Sequence, residues 1–125
     1  MAAKILIIDD EKDMRVYLGT LFSKAGYEID SAPNGEEGVA LAKTFLPDLI
    51  TLDVMMPKKS GLKAYREFRT LPETKDIPII VLTGLPQQED FFGDNLGDLP
   101  RPNALVEKPI DRDSFLEVAR QVMGG

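Results

Sequence analysis

Leu49-Ile50-Thr51-Leu52-Asp53-Val54-Met55-Met56-Pro57 is an apolar run that ends abruptly in a carboxylate. Such a run reads as a buried strand, and the Met-Met-Pro that follows reads as the loop where the strand's last residue emerges. Asp53 is therefore a lone acid at the C-terminal end of a strand. Open α/β sheets bind their ligands in the crevice beyond those ends, which makes the position a candidate site. The plain alternative is an Asp that caps a turn.

Upstream, Ile5-Leu6-Ile7-Ile8 is a second run without polar alternation, as in a central parallel strand covered on both faces. It ends in Asp9-Asp10-Glu11. Met14, Leu18, Leu21, Phe22 and Ala25 then recur at helical spacing, with Gly26 as the stop. Residues 27–32 alternate as a half-exposed edge strand. Pro33-Asn34-Gly35 reads as a turn, and Val39, Ala42 and Leu46 mark a second helix that ends at Pro47.

Downstream, Lys58-Lys59-Ser60-Gly61 leads into a third helix marked by a weaker stripe of Leu62, Tyr65 and Phe68 or Arg69, which stops near Pro72. Ile77-Pro78-Ile79-Ile80-Val81-Leu82 is another buried strand, followed by Thr83-Gly84. Pro78 lacks a donor and belongs at the strand's start. The stretch 85–103 is broken by Pro86, Gly93, Gly97, Pro100 and Pro102, and supports only a short, irregular helix around 87–92. Ala104-Leu105-Val106 is a brief last strand, then Glu107-Lys108-Pro109. Asp111 is the expected N-cap of a final helix carrying Phe115, Ala119 and Val122.

Strands alternating with helices predict an α/β fold, a doubly wound five-stranded parallel sheet of flavodoxin-like order 2-1-3-4-5. Strands 1, 3 and 4 are then neighbours, so Asp9, Asp10, Asp53 and Thr83 share one crevice. The 125 residues fit one domain spanning 1–125. With no Cys and no His there is no disulfide framework, thiolate metal site or Ser-His triad. The net charge of −6 argues against nucleic acid as a direct partner. The apolar runs are too short for a membrane span, and the Met-Ala-Ala-Lys start lacks a signal peptide's apolar segment. A soluble, cytoplasmic protein is expected.

Three carboxylates brought together repel one another unless a cation relieves them. Mg²⁺ suits such a site, since it takes oxygen ligands and combines one or two carboxylates with phosphate oxygens. Asp53 can then act as ligand and as nucleophile, forming an aspartyl phosphate. Lys108 would supply a point charge to the phosphoryl oxygens, and the Thr83 hydroxyl a hydrogen bond. Singly, each residue has a plain explanation: Thr83 as a strand residue, Lys108 as a solvated lysine, Asp9-Asp10 as a helix-entry cap. Those explanations must all hold at once at every strand end.

These residues carry a resemblance. Over essentially its whole length the chain resembles the receiver domain of two-component response regulators, through Ile7-Ile8-Asp9-Asp10-Glu11, Asp53-Val54-Met55-Met56-Pro57 with Gly61, Thr83-Gly84 and Glu107-Lys108-Pro109. The resemblance implies that Asp53 accepts a phosphoryl group from a sensor histidine kinase or phosphotransfer protein, with Mg²⁺ held by Asp10, Asp53 and the Met55 carbonyl. It implies that Asp9 is a second acid at the metal, that Lys108 contacts the phosphoryl group, and that Thr83 is the switch hydroxyl. A cis Lys108-Pro109 bond is also implied. Such a protein is a signalling phosphoacceptor, not a conventional enzyme. Its downstream protein target would bind the face formed by the 87–92 segment, the last strand and the last helix, with the protein a monomer or a weak phosphorylation-dependent dimer.

Two departures stand out. Leu105 occupies the place, three before the Lys, where the family commonly carries an aromatic, and the stretch between Thr83 and Lys108 is unusually broken by Pro and Gly. Phe91 and Phe92 within it are expected core or docking residues. Met55 and Leu85 would flank the path of the attacking water and slow hydrolysis of the acyl phosphate. A haloacid-dehalogenase-type phosphatase would carry a second Asp where Met55 stands, and a flavodoxin would not place three acids after its first strand. The main alternative is a receiver-shaped interaction module that works largely without phosphorylation. The chain ends just after its last helix, as expected of a stand-alone regulator or of a receiver within a longer protein.

Overall fold

Strand β1 (Lys4–Ile8) pairs in parallel with β2 (Glu28–Ala32) on one side and β3 (Leu49–Asp53) on the other. β3 in turn pairs with β4 (Ile79–Thr83), and β4 with β5 (Ala104–Glu107). The order β2-β1-β3-β4-β5 is the doubly wound order expected from the sequence. The structure, a computed structural model, describes residues 2–54, 60–84 and 96–124. Among these lie helices α1 (Lys12–Lys24), α2 (Gly35–Phe45), α3 (Ser60–Thr70) and α4 (Arg112–Val122). The helix expected around 87–92, Phe91 and Phe92, and the Met55 and Leu85 positions fall outside the described residues. Among the described residues no helix is long and apolar enough to cross a membrane.

The unbroken apolar runs become strands buried on both faces. Ile5 and Ile7 face one side with Leu18, Phe22, Phe115 and Ala119 of α1 and α4. Leu6 and Ile8 face the other with Val39, Ala42, Tyr65 and Phe68 of α2 and α3. Each fully buried Leu, Ile or Phe contributes about 1.5–3 kcal/mol. A one-residue slip would exchange the two layers on any strand, so register is firmly set, and with it the level at which each strand ends.

Local signals explain most boundaries. Gly26 takes φ 98° after α1, a conformation that favours glycine. Asn34 proves to be a helix cap: its side chain accepts from Glu37 N–H at 2.8 Å and donates to the Glu37 carboxylate at 2.8 Å, and Gly35 already belongs to α2. Asp111 caps α4 as expected, accepting from Ser114 N–H at 3.0 Å. Leu46 is a correction. It does not continue the apolar face of α2; it closes the helix at φ 52° with its side chain exposed. Pro47 behind it disfavours the α region at residue 46, and Leu46 N–H still bonds to the Ala42 carbonyl at 3.0 Å. β4 starts at Ile79, two residues later than the apolar pattern, because Pro78 contributes only its carbonyl, to Ile50 N–H at 3.0 Å.

Candidate functional site

The crevice forms where β1, β3 and β4 end together. Asp53 is the last residue of β3, registered with Leu82 of β4, one residue before Thr83. Asp9 follows the last residue of β1, and its N–H continues the ladder to the Ala32 carbonyl at 3.1 Å. Asp53 and Thr83 are each 0% exposed and Asp9 is 1% exposed. Lys108 follows β5, its N–H bonded to the Thr83 carbonyl at 2.7 Å, and the Lys108-Pro109 bond is cis, as the resemblance implies.

Carboxylate oxygens of Asp9, Asp10, Glu11 and Asp53 all lie within 4.8 Å of one another. The Lys108 ammonium donates to Asp53 Oδ2 at 3.0 Å and lies 3.7 Å from Asp9 Oδ2. Asp9 Oδ1 accepts the Glu11 N–H at 2.9 Å, whereas Asp9 Oδ2 is buried with no hydrogen bond. Burial, opposed by the Glu11 N–H, and then the Asp53 charge push the Asp9 carboxyl up to about 6, even with Lys108 pulling it down. Burial alone would lower the Lys108 ammonium. The hydrogen bond and charge of Asp53 outweigh it, with Asp9 and Glu11 adding, so Lys108 is raised and charged at neutral pH.

Gly61, at the start of α3, lets the chain pass close to this strand end. A Cβ there would lie 2.8 Å from Val54 Cα and 3.1 Å from the Asp53 carbonyl oxygen, both backbone atoms that cannot swing aside.

Asp9, Asp10, Asp53 and Lys108 are thus brought to one place, with Thr83 at the adjoining strand end; Met55 lies outside the described residues. Sequence reasoning missed Glu11 as a member of the cluster. It is the N-cap residue of α1, but its side chain makes no capping bond and its carboxylate joins the other acids. The run Asp9-Asp10-Glu11 itself was the available signal. Among the described residues, four carboxylates facing one lysine leave excess negative charge, and the donor set is all hard oxygen with one buried oxygen lacking a hydrogen bond. That fits a divalent cation of the Mg²⁺ kind.

The family model of the response regulator receiver domain matches residues 5–120. Protein PilH of Pseudomonas aeruginosa is 33% identical over 124 residues, covering 98% of this chain and 99% of PilH. Among solved structures, the chemotaxis response regulator CheY4 of Vibrio cholerae is 28% identical with a TM-score of 0.84, covering 98% of this chain and 99% of that one. The receiver domain of the sensor histidine kinase PA1611 of Pseudomonas aeruginosa, solved with a magnesium ion coordinated in its active site cleft, covers 100% of both chains. Its identity is 22% and its TM-score 0.87, a likeness of fold.

Proposed function

The chain belongs to the response regulator receiver domain family, and from that premise we propose that Asp53 accepts a phosphoryl group from a phosphohistidine of a sensor kinase or phosphotransfer protein. The observation that carries this reading is the ion pair of Lys108 with the fully buried Asp53, set inside a cluster of three further acids. A carboxylate oxygen of Asp53 forms a bond to phosphorus as the donor's phosphorus–nitrogen bond breaks, and the imidazole leaves. Asp10 and Asp53 would hold Mg²⁺, with Asp9 as a second acid at the metal and the Met55 carbonyl as a further ligand. When bound, the ion offsets charge on the phosphoryl oxygens. Lys108 neutralises Asp53 before transfer and remains in reach of the new phosphoryl oxygens afterwards. Thr83, one residue past the β4 partner of Asp53, would give that group a hydroxyl hydrogen bond.

The phosphoryl group then acts as the ligand that shifts the population of two forms of the face expected from the 87–92 segment, β5 and α4, where a downstream protein binds. One observation favours the interaction-module reading: Leu105, on the outer strand of the sheet, is 44% exposed, an apolar contact available without any switch. The test is intact mass after incubation with acetyl phosphate, with and without Mg²⁺. A single phosphoryl adduct is expected that requires Mg²⁺ and is absent in Asp53→Asn. No adduct in the parent would overturn the phosphoacceptor reading in favour of the module.

A further inference from the structure

The peptide that joins Asp9 to Asp10 is held from outside the crevice by a residue the phosphoacceptor reading does not use. Arg15, one turn into α1 and half-buried, donates from Nη1 to the Asp9 carbonyl at 2.8 Å. β1 ends at Ile8, so this carbonyl lies past the strand's last residue. Three bonds then define the turn: Asp9 N–H to Ala32, Glu11 N–H to Asp9 Oδ1, and Arg15 to the Asp9 carbonyl. The first fixes where Asp9 begins, and the second orients its carboxylate. The third fixes the plane of the 9–10 peptide, and hence the direction in which the Asp10 side chain leaves the backbone. Arg15 is also anchored at its own backbone, its N–H bonding to the Glu11 carbonyl at 3.1 Å, so α1 and the turn brace each other.

We infer that Arg15 is a positioning residue for the divalent-cation site: its guanidinium, through the Asp9 carbonyl, sets the aim of Asp10 and so the affinity for the ion. This rests on the reading of the crevice as a Mg²⁺ site. Residues that orient metal ligands without touching the metal change affinity by roughly 10–100-fold when removed. The opposite sign follows from charge alone. Arg15 is a cation on the rim, and if only its charge mattered its loss would tighten cation binding.

The test is titration calorimetry of Mg²⁺ into the metal-free protein, with no phosphodonor, on the parent and on Arg15→Met, Arg15→Lys, Lys12→Met and Asp10→Asn. Arg15→Met is expected to bind Mg²⁺ about tenfold more weakly. Arg15→Lys, which can still donate to the carbonyl, should recover most of that loss. Lys12→Met removes a neighbouring α1 cation that has no hydrogen bond to the turn, and is expected to leave the affinity unchanged or slightly higher. Unchanged or tighter binding by Arg15→Met, with a parent that binds and an Asp10→Asn that does not, would overturn the positioning role and leave the metal site standing. A parent that binds no Mg²⁺ would overturn both.

Discussion

Lys108→Met is expected to destabilise the Mg²⁺-free protein by about 3 kcal/mol at pH 7, and saturating Mg²⁺ should restore much of the deficit. Asp53 is 0% and Asp9 1% exposed, and the Lys108 ammonium lies 3.0 Å from one carboxylate and 3.7 Å from the other. Removing one partner of a buried pair strands the remaining charge, which costs more than the pair's net worth. Relief comes from protonation or from another cation. The deficit should therefore shrink at pH 5, where Asp9 takes up a proton, and shrink again when Mg²⁺ takes the lysine's place. Urea unfolding at pH 5 and pH 7, with Mg²⁺ and with chelator, measures this directly. A variant as stable as the parent in chelator at pH 7 would show that the lysine does not neutralise the crevice.

The second large effect has the opposite sign. Asp9→Asn should stabilise the metal-free protein at pH 7 by on the order of 2 kcal/mol while weakening Mg²⁺ binding. The folded-state pKa of Asp9 stands at about 6, above the ordinary 3.8, so the folded protein binds the proton more tightly than the unfolded chain. Stability from this group is unaffected below about pH 4, falls as pH rises from about 4 to about 6, and stays low above that. The move from 3.8 to about 6 corresponds to about 3 kcal/mol at pH 7, and Asn forgoes most of it because its oxygen still accepts the Glu11 N–H. Parent and variant should unfold at the same urea concentration near pH 4 and diverge by pH 7. Equal stability at both pH values would remove Asp9 as a source of strain in the crevice.

Both effects follow from acids that the fold crowds together and the sequence shows only in separate places. The strand order was legible because Ile5–Ile8 and Leu49–Leu52 lack polar alternation, which marks them as central, while 27–32 alternates as an edge does. The convergence of Asp9, Asp10 and Asp53 follows from that order alone. Lys108 came with the last strand and the Thr83 hydroxyl with the end of β4, while the cis bond at Pro109, the switch role of Thr83 and the Met55 carbonyl came with the family resemblance. What stayed hidden depended on longer-range or finer geometry. Leu46 matched helical spacing, but its partner Pro47 turned it into a left-handed cap, a backbone effect that outranks an exposed side chain's periodicity. Glu11 stands in the acid run Asp9-Asp10-Glu11, but only the direction of its side chain puts it in the crevice with the other acids. The Arg15 bond to a carbonyl six residues back leaves no periodic trace. Nor does the network that pins the approach to β5. There Tyr65 donates to the Pro100 carbonyl at 2.6 Å, and Arg69 joins Tyr65, Ile77 and Asn103 across more than thirty residues of sequence.

Among the four clustered acids, the proposed phosphoryl acceptor is the buried Asp53. Borohydride reduces an acyl phosphate to the alcohol, which marks a phosphorylated aspartate as homoserine. After reaction with acetyl phosphate and Mg²⁺, reduction and peptide sequencing by mass spectrometry, homoserine is predicted at position 53 alone. Homoserine at position 9 or 10, or an adduct that leaves position 53 unmodified, would rule out Asp53 as the acceptor.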